Sequence, residues 1–105
     1  MTTYYYVLAS KKFMLDDEPT HEVIKERIRD YHSKEKAIDF WLVEQPAFLN
    51  APELAELKAK VPQPAASIIS TDKSFITWLK LRLEHVAMGE VPASVTDPTA
   101  SLAAA

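Results

Sequence analysis

The segment TYYYVLA at residues 3–9 places the strongest constraint on the fold of this chain. β-Branched and aromatic residues occupy nearly every position, which is typical of a β-strand. Both alternating faces of this strand are apolar or aromatic, which predicts a central strand in a sheet that is covered on both sides. The fold must therefore supply a packing layer above and below one sheet.

An amphipathic helix is predicted to begin near Thr20, which follows Pro19 and can cap it. Apolar residues recur at helical spacing up to about residue 31, and the helix is expected to end around residues 33–36. The stripe that this helix should bury consists of Val23, Ile24, Ile28 and Tyr31.

Two more strands are predicted over residues 37–43 and 65–70, and residues 13–15 are a candidate extension of the first strand. Between the two strands, Asn50 is a candidate cap for a short helix that continues to Pro62. The buried stripe of this short helix should consist of Leu54, Leu57 and Val61.

The longest helix is predicted over about residues 73–88, with Thr71 or Asp72 as its cap. Gly89 is the one glycine of the chain and fits the position just after the C-terminus of this helix. Its core face should contain Phe75, Ile76, Leu79, Leu83 and Val86.

The order of these elements predicts a single small α+β domain over residues 1–91, with a three- to four-stranded sheet and about three helices. Residues 92–105 are rich in proline, serine, threonine and alanine, which is typical of a disordered tail. Of the 105 residues, 48% are hydrophobic, so a real core is expected, and no apolar run is long enough to cross a membrane. The net charge of −3 argues against a nucleic-acid partner.

The chain offers little for catalysis or metal binding. It contains no cysteine, and its single glycine excludes a glycine-rich phosphate loop. Glu18 and His21 have the spacing of a di-iron ligand pair, but a second copy of this motif is missing. The other histidines, His32 and His85, complete no ligand set. We therefore predict no catalytic residue, no metal site and no cofactor.

The pattern of surface residues says more about function than the search for catalytic or metal-binding motifs. The last helix carries a second, mostly apolar side formed by Trp78, Leu81, His85 and Met88. Arg82 lies where this side meets the core face. Either strands or the tail cover the second side, or Trp78 and Arg82 form part of a patch that binds a partner, since tryptophan and arginine are enriched in binding hot spots.

Asp39 lies within an otherwise apolar strand, where an unpaired buried carboxylate would be costly. Either Asp39 lies at the end of the strand in solvent, or it pairs with a cation, for which Arg82 is a candidate. Phe40, next to it, is either a core residue or a second member of the same patch.

Three stretches carry a resemblance to a known family: TTYYYVLAS, IDFWLVEQPAFLNAPELAELKAK and PQPAASIISTDKSFITWLKLRLE. They resemble the small cyanobacterial and plastid accessory protein of the oxygen-dependent magnesium-protoporphyrin IX monomethyl ester cyclase. The resemblance covers about residues 3–89. It implies a role in chlorophyll biosynthesis, at the formation of the isocyclic ring.

The resemblance further implies that catalysis belongs to a separate di-iron subunit, which the small protein binds and supports. Other enzymes of chlorophyll biosynthesis are further candidate partners. The implied contact residues are Asp39, Phe40 and Arg82, to which the helix pattern adds Trp78. The implied location is the cytoplasm of a cyanobacterium or the plastid stroma, with indirect contact to thylakoid membranes through the partner.

A carrier for the magnesium porphyrin is the alternative reading. In that case His85 is a candidate axial ligand, and an aromatic slot would be lined by Tyr4, Tyr5, Tyr6, Phe40, Trp41 and Trp78. A core role for these aromatic residues competes with this reading.

Overall fold

A computed structural model describes residues 2–14, 20–83 and 86–101, without the side chains of residues 20 and 21. Two short 3₁₀ turns lie between the second strand and the second helix. The strands are β1 (Tyr5–Ser10), β2 (Phe40–Glu44), β3 (Ala65–Ser70) and β4 (Ala87–Glu90), and the helices are α1 (Thr20–Ser33), α2 (Ala55–Lys60) and α3 (Lys73–Leu83).

The four strands form one antiparallel sheet in the order β2-β3-β1-β4. β1 and β3 are the inner strands, as the apolar character of residues 3–9 predicted. All six residues of β3 are buried, including Ser67 and Ser70. The hydroxyl of Ser67 donates to the backbone oxygen of Val7 at 2.7 Å, so this buried polar group is satisfied.

The alternation of side chains along β1 separates two apolar layers. Val7 and Ala9 join the layer that α1 and α3 cover, whereas Tyr6 and Leu8 join the opposite layer. The opposite layer is completed by the residues between β2 and β3 and by the C-terminal segment. The α+β fold with a four-stranded sheet and three helices is thus confirmed.

The end of the predicted long helix is wrong. The described part of α3 reaches Leu83, and residues 87–90 form β4 along the edge of β1. Gly89 therefore lies opposite Tyr6 in the sheet. Its φ is not positive, so it does not have the left-handed conformation of a glycine that ends a helix. α1, with 14 residues, is longer than α3, with 11.

Two smaller predictions also differ from the structure. Residues 11–14 form a short helical turn rather than an extension of the first strand, and residue 15 lies outside the described residues. Asn50 caps no helix; its side-chain oxygen accepts a hydrogen bond from the ammonium of Lys58 at 2.6 Å. The expected stripe of Leu54, Leu57 and Val61 does pack on the sheet.

The described part of the C-terminal segment, residues 92–101, contacts the chain between β2 and β3. The backbone N–H of Ala47 donates to Ala100, and Ser101 forms a bridge with Pro46 beside the end of β2. Ser94 donates to the carboxylate of Glu53 at 2.8 Å. A backbone hydrogen bond and the Ser94 hydroxyl lower the pKa of Glu53, because both favour the ionised carboxylate.

Candidate partner-binding surface

Four rings form a continuous line from the end of α1 to the outer face of α3. Tyr31 meets Phe40 edge-on at 5.3 Å between ring centroids, and Phe40 meets Phe75 at 5.5 Å. Phe75 in turn stacks on Trp78 at 6.2 Å. We call these four residues the aromatic cluster. Since its members lie on α1, β2 and α3, the cluster fixes the relative positions of these three elements.

The guanidinium of Arg27 lies inside this cluster. Its central carbon is 3.7 Å from the ring centroid of Phe75, 5.0 Å from that of Tyr31 and 5.6 Å from that of Phe40. Such contacts between a cation and aromatic faces contribute about 0.5–2 kcal/mol each, and more when water is excluded. The side chain is 26% exposed, so the cation is largely removed from solvent.

Arg27 also links two carboxylates. Its terminal nitrogen donates to the hydroxyl of Tyr31 at 2.9 Å and lies 3.4 Å from the carboxylate of Asp72. The Tyr31 hydroxyl in turn donates to Asp39 at 2.8 Å. Lys36 approaches the same hydroxyl at 3.4 Å, so this oxygen accepts from two cations and donates once, which uses its full capacity.

The C-terminus of α1 brings Lys36 to this network. The backbone N–H of Lys36 donates to Tyr31 and that of Glu35 donates to His32, and Glu35 has a φ of 53°. This is a helix end in which a left-handed residue turns the chain, a position that glycine usually occupies. The turn places the Lys36 ammonium 3.9 Å from Asp39.

The backbone of Asp39 is anchored to the end of β3. The hydroxyl of Ser70 donates to the Asp39 carbonyl oxygen at 2.8 Å and accepts from the backbone N–H of Asp72 at 2.9 Å. The N–H of Thr71 also donates to the Asp39 carbonyl oxygen. Asp39 is therefore fixed through its backbone, while its side chain remains 27% exposed.

Of the two predicted caps of α3, Thr71 and Asp72, the structure shows Asp72 in this role. One carboxylate oxygen accepts the backbone N–H groups of Ser74 and Phe75, and the other faces Arg27. We expect Asp72→Ala to lower the free energy of unfolding by about 1–2 kcal/mol in urea denaturation, because both N–H groups lose their acceptor. Asp72→Asn keeps the cap and should lose less; equal losses in the two variants would contradict the capping role.

The outer face of α3 is not covered by any of the described residues. Trp78 is 48% exposed and Leu81 is 73% exposed. Together with Lys73, Ser74 and Thr77 they line a shallow groove of about 400 Å³. Exposed large apolar side chains grouped in this way are typical of binding surfaces.

The partners of the predicted site residues differ from those that the sequence suggested. Within the described residues, Asp39 pairs with Lys36 and Tyr31 rather than with Arg82. Arg82 is exposed on α3, one turn and about 6 Å along the axis from Trp78. Tyr31, Phe40 and Phe75 are each 3% exposed, so these rings of the aromatic cluster lie beneath the surface between Asp39 and Trp78.

Phe40 is a core residue, because only 3% of it is exposed. As a buried ring in the middle of the aromatic cluster, it cannot itself touch a partner unless the fold opens. Of the four predicted contact residues, Asp39, Trp78 and Arg82 are therefore accessible. Phe40 lies beneath Asp39 and Trp78, which it reaches through Tyr31 and Phe75.

Sequence reasoning missed the residue at the centre of the site. Arg27 lies four residues after Val23 and four before Tyr31, so helical spacing places it on the buried stripe of α1. Ile28, which was assigned to that stripe, is instead 38% exposed. The four-residue spacing of Arg27 from Val23 and from Tyr31 would have indicated that Arg27 lies on the buried stripe.

The aromatic residues of the predicted porphyrin slot do not line one cavity. Tyr4 and Trp41 pair at 5.9 Å and Tyr6 packs on Phe48 at 4.9 Å, on the face of the sheet opposite α1 and α3. Phe40 and Trp78 belong to the aromatic cluster on the other side. His85 lies outside the described residues, as do Glu18 and the side chain of His21.

Metal binding and membrane crossing find no support in the part of the chain that the structure describes. No group of three or more His, Cys, Asp or Glu side chains among them is placed to hold a metal ion. Among the same residues, no helix is long and apolar enough to cross a membrane.

The fold and the surface define a small single-domain α+β protein with a four-stranded antiparallel sheet. The chain belongs to the Ycf54 family, because the family model described as Ycf54 protein matches residues 2–93. It is 63% identical over 105 residues to the Ycf54-like protein of Synechocystis sp., a match that covers 97% of this chain and 79% of that protein.

Similar proteins include a plant relative and a protein of known crystal structure. The chain is 38% identical over 98 residues to the chloroplastic protein YCF54 of Arabidopsis thaliana, covering 91% of this chain and 45% of the plant protein. A crystal structure from Nostoc sp. superposes with a TM-score of 0.92 at 64% identity and covers 96% of both chains. Relatives from cyanobacteria and from chloroplasts fit a cytoplasmic or plastid location.

Proposed function

We propose that this protein is a non-catalytic accessory factor that binds and supports the di-iron subunit of the oxygen-dependent magnesium-protoporphyrin IX monomethyl ester cyclase. The proposal combines the resemblance of residues 3–89 with the membership in the Ycf54 family. It places the protein in the cyanobacterial cytoplasm or the plastid stroma, at the thylakoid membrane through its partner.

The single observation that carries a binding role is the uncovered outer face of α3. Burying an exposed leucine side chain contributes about 1.5–3 kcal/mol, so Leu81 and the half-exposed Trp78 offer energy that the isolated domain does not use. Arg82 beside them adds a charge that can pair with a carboxylate of the partner. Asp39 supplies the opposite charge at the other end of the surface.

Arg82→Ala and Trp78→Ala should each weaken binding to the di-iron subunit by about tenfold or more. Arg82 is exposed, so its removal should leave stability unchanged. Trp78 is 48% exposed and stacks on Phe75, so Trp78→Ala should also lower stability by about 0.5–1.5 kcal/mol. The measurement is co-purification of the tagged protein from cyanobacterial membranes, followed by titration with the purified subunit. Thermal unfolding of each variant is measured in parallel.

Arg29→Ala is the matched control, since Arg29 is exposed on α1 and belongs to no part of the surface. Undiminished co-purification of both α3 variants would remove α3 from the contact. An eluate that carries porphyrin absorbance without the di-iron subunit would favour the carrier function instead.

A further inference from the structure

Arg27 contacts more parts of the candidate surface than any single contact residue proposed above. It lies on α1, its guanidinium stacks on Phe75 of α3 and approaches Phe40 of β2, and its terminal nitrogen faces Asp72 at the start of α3. A planar guanidinium can stack on a ring and donate hydrogen bonds in its plane at the same time, which an ammonium group cannot do.

We propose that Arg27 is a positioning residue for partner binding, which holds Asp39 and Trp78 in one fixed arrangement through the aromatic cluster. The route to Asp39 runs through the Tyr31 hydroxyl, at 2.9 Å from Arg27 and 2.8 Å from the carboxylate. The route to Trp78 runs through the ring of Phe75. This inference rests on the proposed function, because it names how the same surface is kept in shape.

Burying the Arg27 guanidinium costs free energy, so a contribution to stability alone does not explain why an arginine occupies this position. Its Nε atom is buried and has no hydrogen-bond partner among the described residues. An apolar side chain such as methionine would fill the same space without an unsatisfied donor. Replacing a whole buried ion pair by apolar residues is often neutral or stabilising, whereas replacing Arg27 alone leaves the Asp72 carboxylate without its cation. What methionine cannot supply is the hydrogen bond to Tyr31 and the link to Asp72.

The first test compares Arg27→Met, Arg27→Lys and the exposed control Arg29→Met. We expect Arg27→Met to weaken binding to the di-iron subunit by about tenfold, Arg27→Lys to weaken it less, and Arg29→Met to leave it unchanged. Ile24→Ala, which removes packing from the same apolar layer, serves as a variant of reduced thermal stability. A binding loss in Arg27→Met no larger than that in Ile24→Ala would show a purely structural role and overturn the inference.

The second test is a double-mutant cycle with Asp39→Ala. If Arg27 acts through Asp39, Arg27→Met should weaken binding much less in the Asp39→Ala background than in the wild type, because the residue that it positions is gone. Fully additive effects on binding would overturn the route through Tyr31.

A third measurement needs no partner and so separates this inference from the proposed function. In the isotope-labelled free protein, Arg27→Met should shift the carboxyl ¹³C signal of Asp39 and the indole signal of Trp78, and Arg29→Met should not. Unchanged signals would overturn the inference even if the di-iron subunit binds the wild type. Shifted signals with no binding of that subunit would retain the positioning role and reject the proposed function.

Discussion

Replacement of Phe40 by alanine is expected to lower the free energy of unfolding by about 3–5 kcal/mol. The ring is 3% exposed and contacts the rings of Tyr31 and Phe75 edge-on. Alanine would leave a cavity between α1, β2 and α3, and would remove one of the aromatic faces beside Arg27. Urea denaturation followed by far-ultraviolet circular dichroism measures the effect.

Two variants define the size of the effect. Phe40→Leu retains most of the apolar volume and should cost clearly less than Phe40→Ala. Ile38→Ala removes a side chain that is 43% exposed just before β2, and should change stability by less than about 0.5 kcal/mol. A Phe40→Ala variant as stable as Ile38→Ala would contradict the burial of the ring.

The burial of Phe40 also changes how a binding defect must be interpreted. A Phe40 variant that fails to bind the partner loses the support for Asp39 and Trp78 before it loses any direct contact. Trp78→Ala should show the opposite balance, with weakened binding and a much smaller loss of stability, because the ring is 48% exposed. Measuring both quantities in both variants therefore separates residues that touch the partner from residues that hold the surface in place.

Strong local patterns made much of this fold predictable. The apolar faces of residues 3–9 indicated an inner strand, and β1 indeed lies between β3 and β4. The capping position of Asp72 and the buried stripe of α3 followed from spacing alone. In these elements local propensity and tertiary packing favour the same structure, so the sequence was sufficient.

β4 was missed because its residues continue a plausible helical pattern beyond Leu83. Val86 is buried in the same apolar layer as Leu83, as a helix would also require, and no proline interrupts the sequence between them. What selects a strand is the unpaired edge of β1, which lies about 80 residues earlier in the chain and is invisible to a local pattern.

The candidate site was only partly predictable for a related reason. The exposure of Trp78 follows from its position outside the core face of α3, and this could be inferred from spacing. The pairing of Asp39 with Lys36 depends on how α1 ends, and the left-handed residue there is Glu35 rather than a glycine that would have marked the turn. Charge pairs fixed by such turns become visible only in three dimensions.

Gly89→Ala should destabilise the protein by about 1–3 kcal/mol, although alanine is ordinarily the better residue in a strand. An added Cβ would lie 2.8 Å from the hydroxyl oxygen of Tyr6 and 3.1 Å from the ring carbon that carries it. Tyr6 is 4% exposed and packs on Phe48 at 4.9 Å, so the ring cannot move aside freely. Burial also raises the pKa of Tyr6, because it disfavours the phenolate.

The Tyr6→Phe background isolates the cause. Removing the hydroxyl relieves the closest contact and leaves the ring carbon at 3.1 Å, so Gly89→Ala should cost less there than in the wild type, without becoming neutral. Chemical denaturation of the four proteins of this cycle gives both values. A stabilising Gly89→Ala would mean that the Tyr6 ring shifts at little cost, and that the glycine at this position is not required by packing against β1.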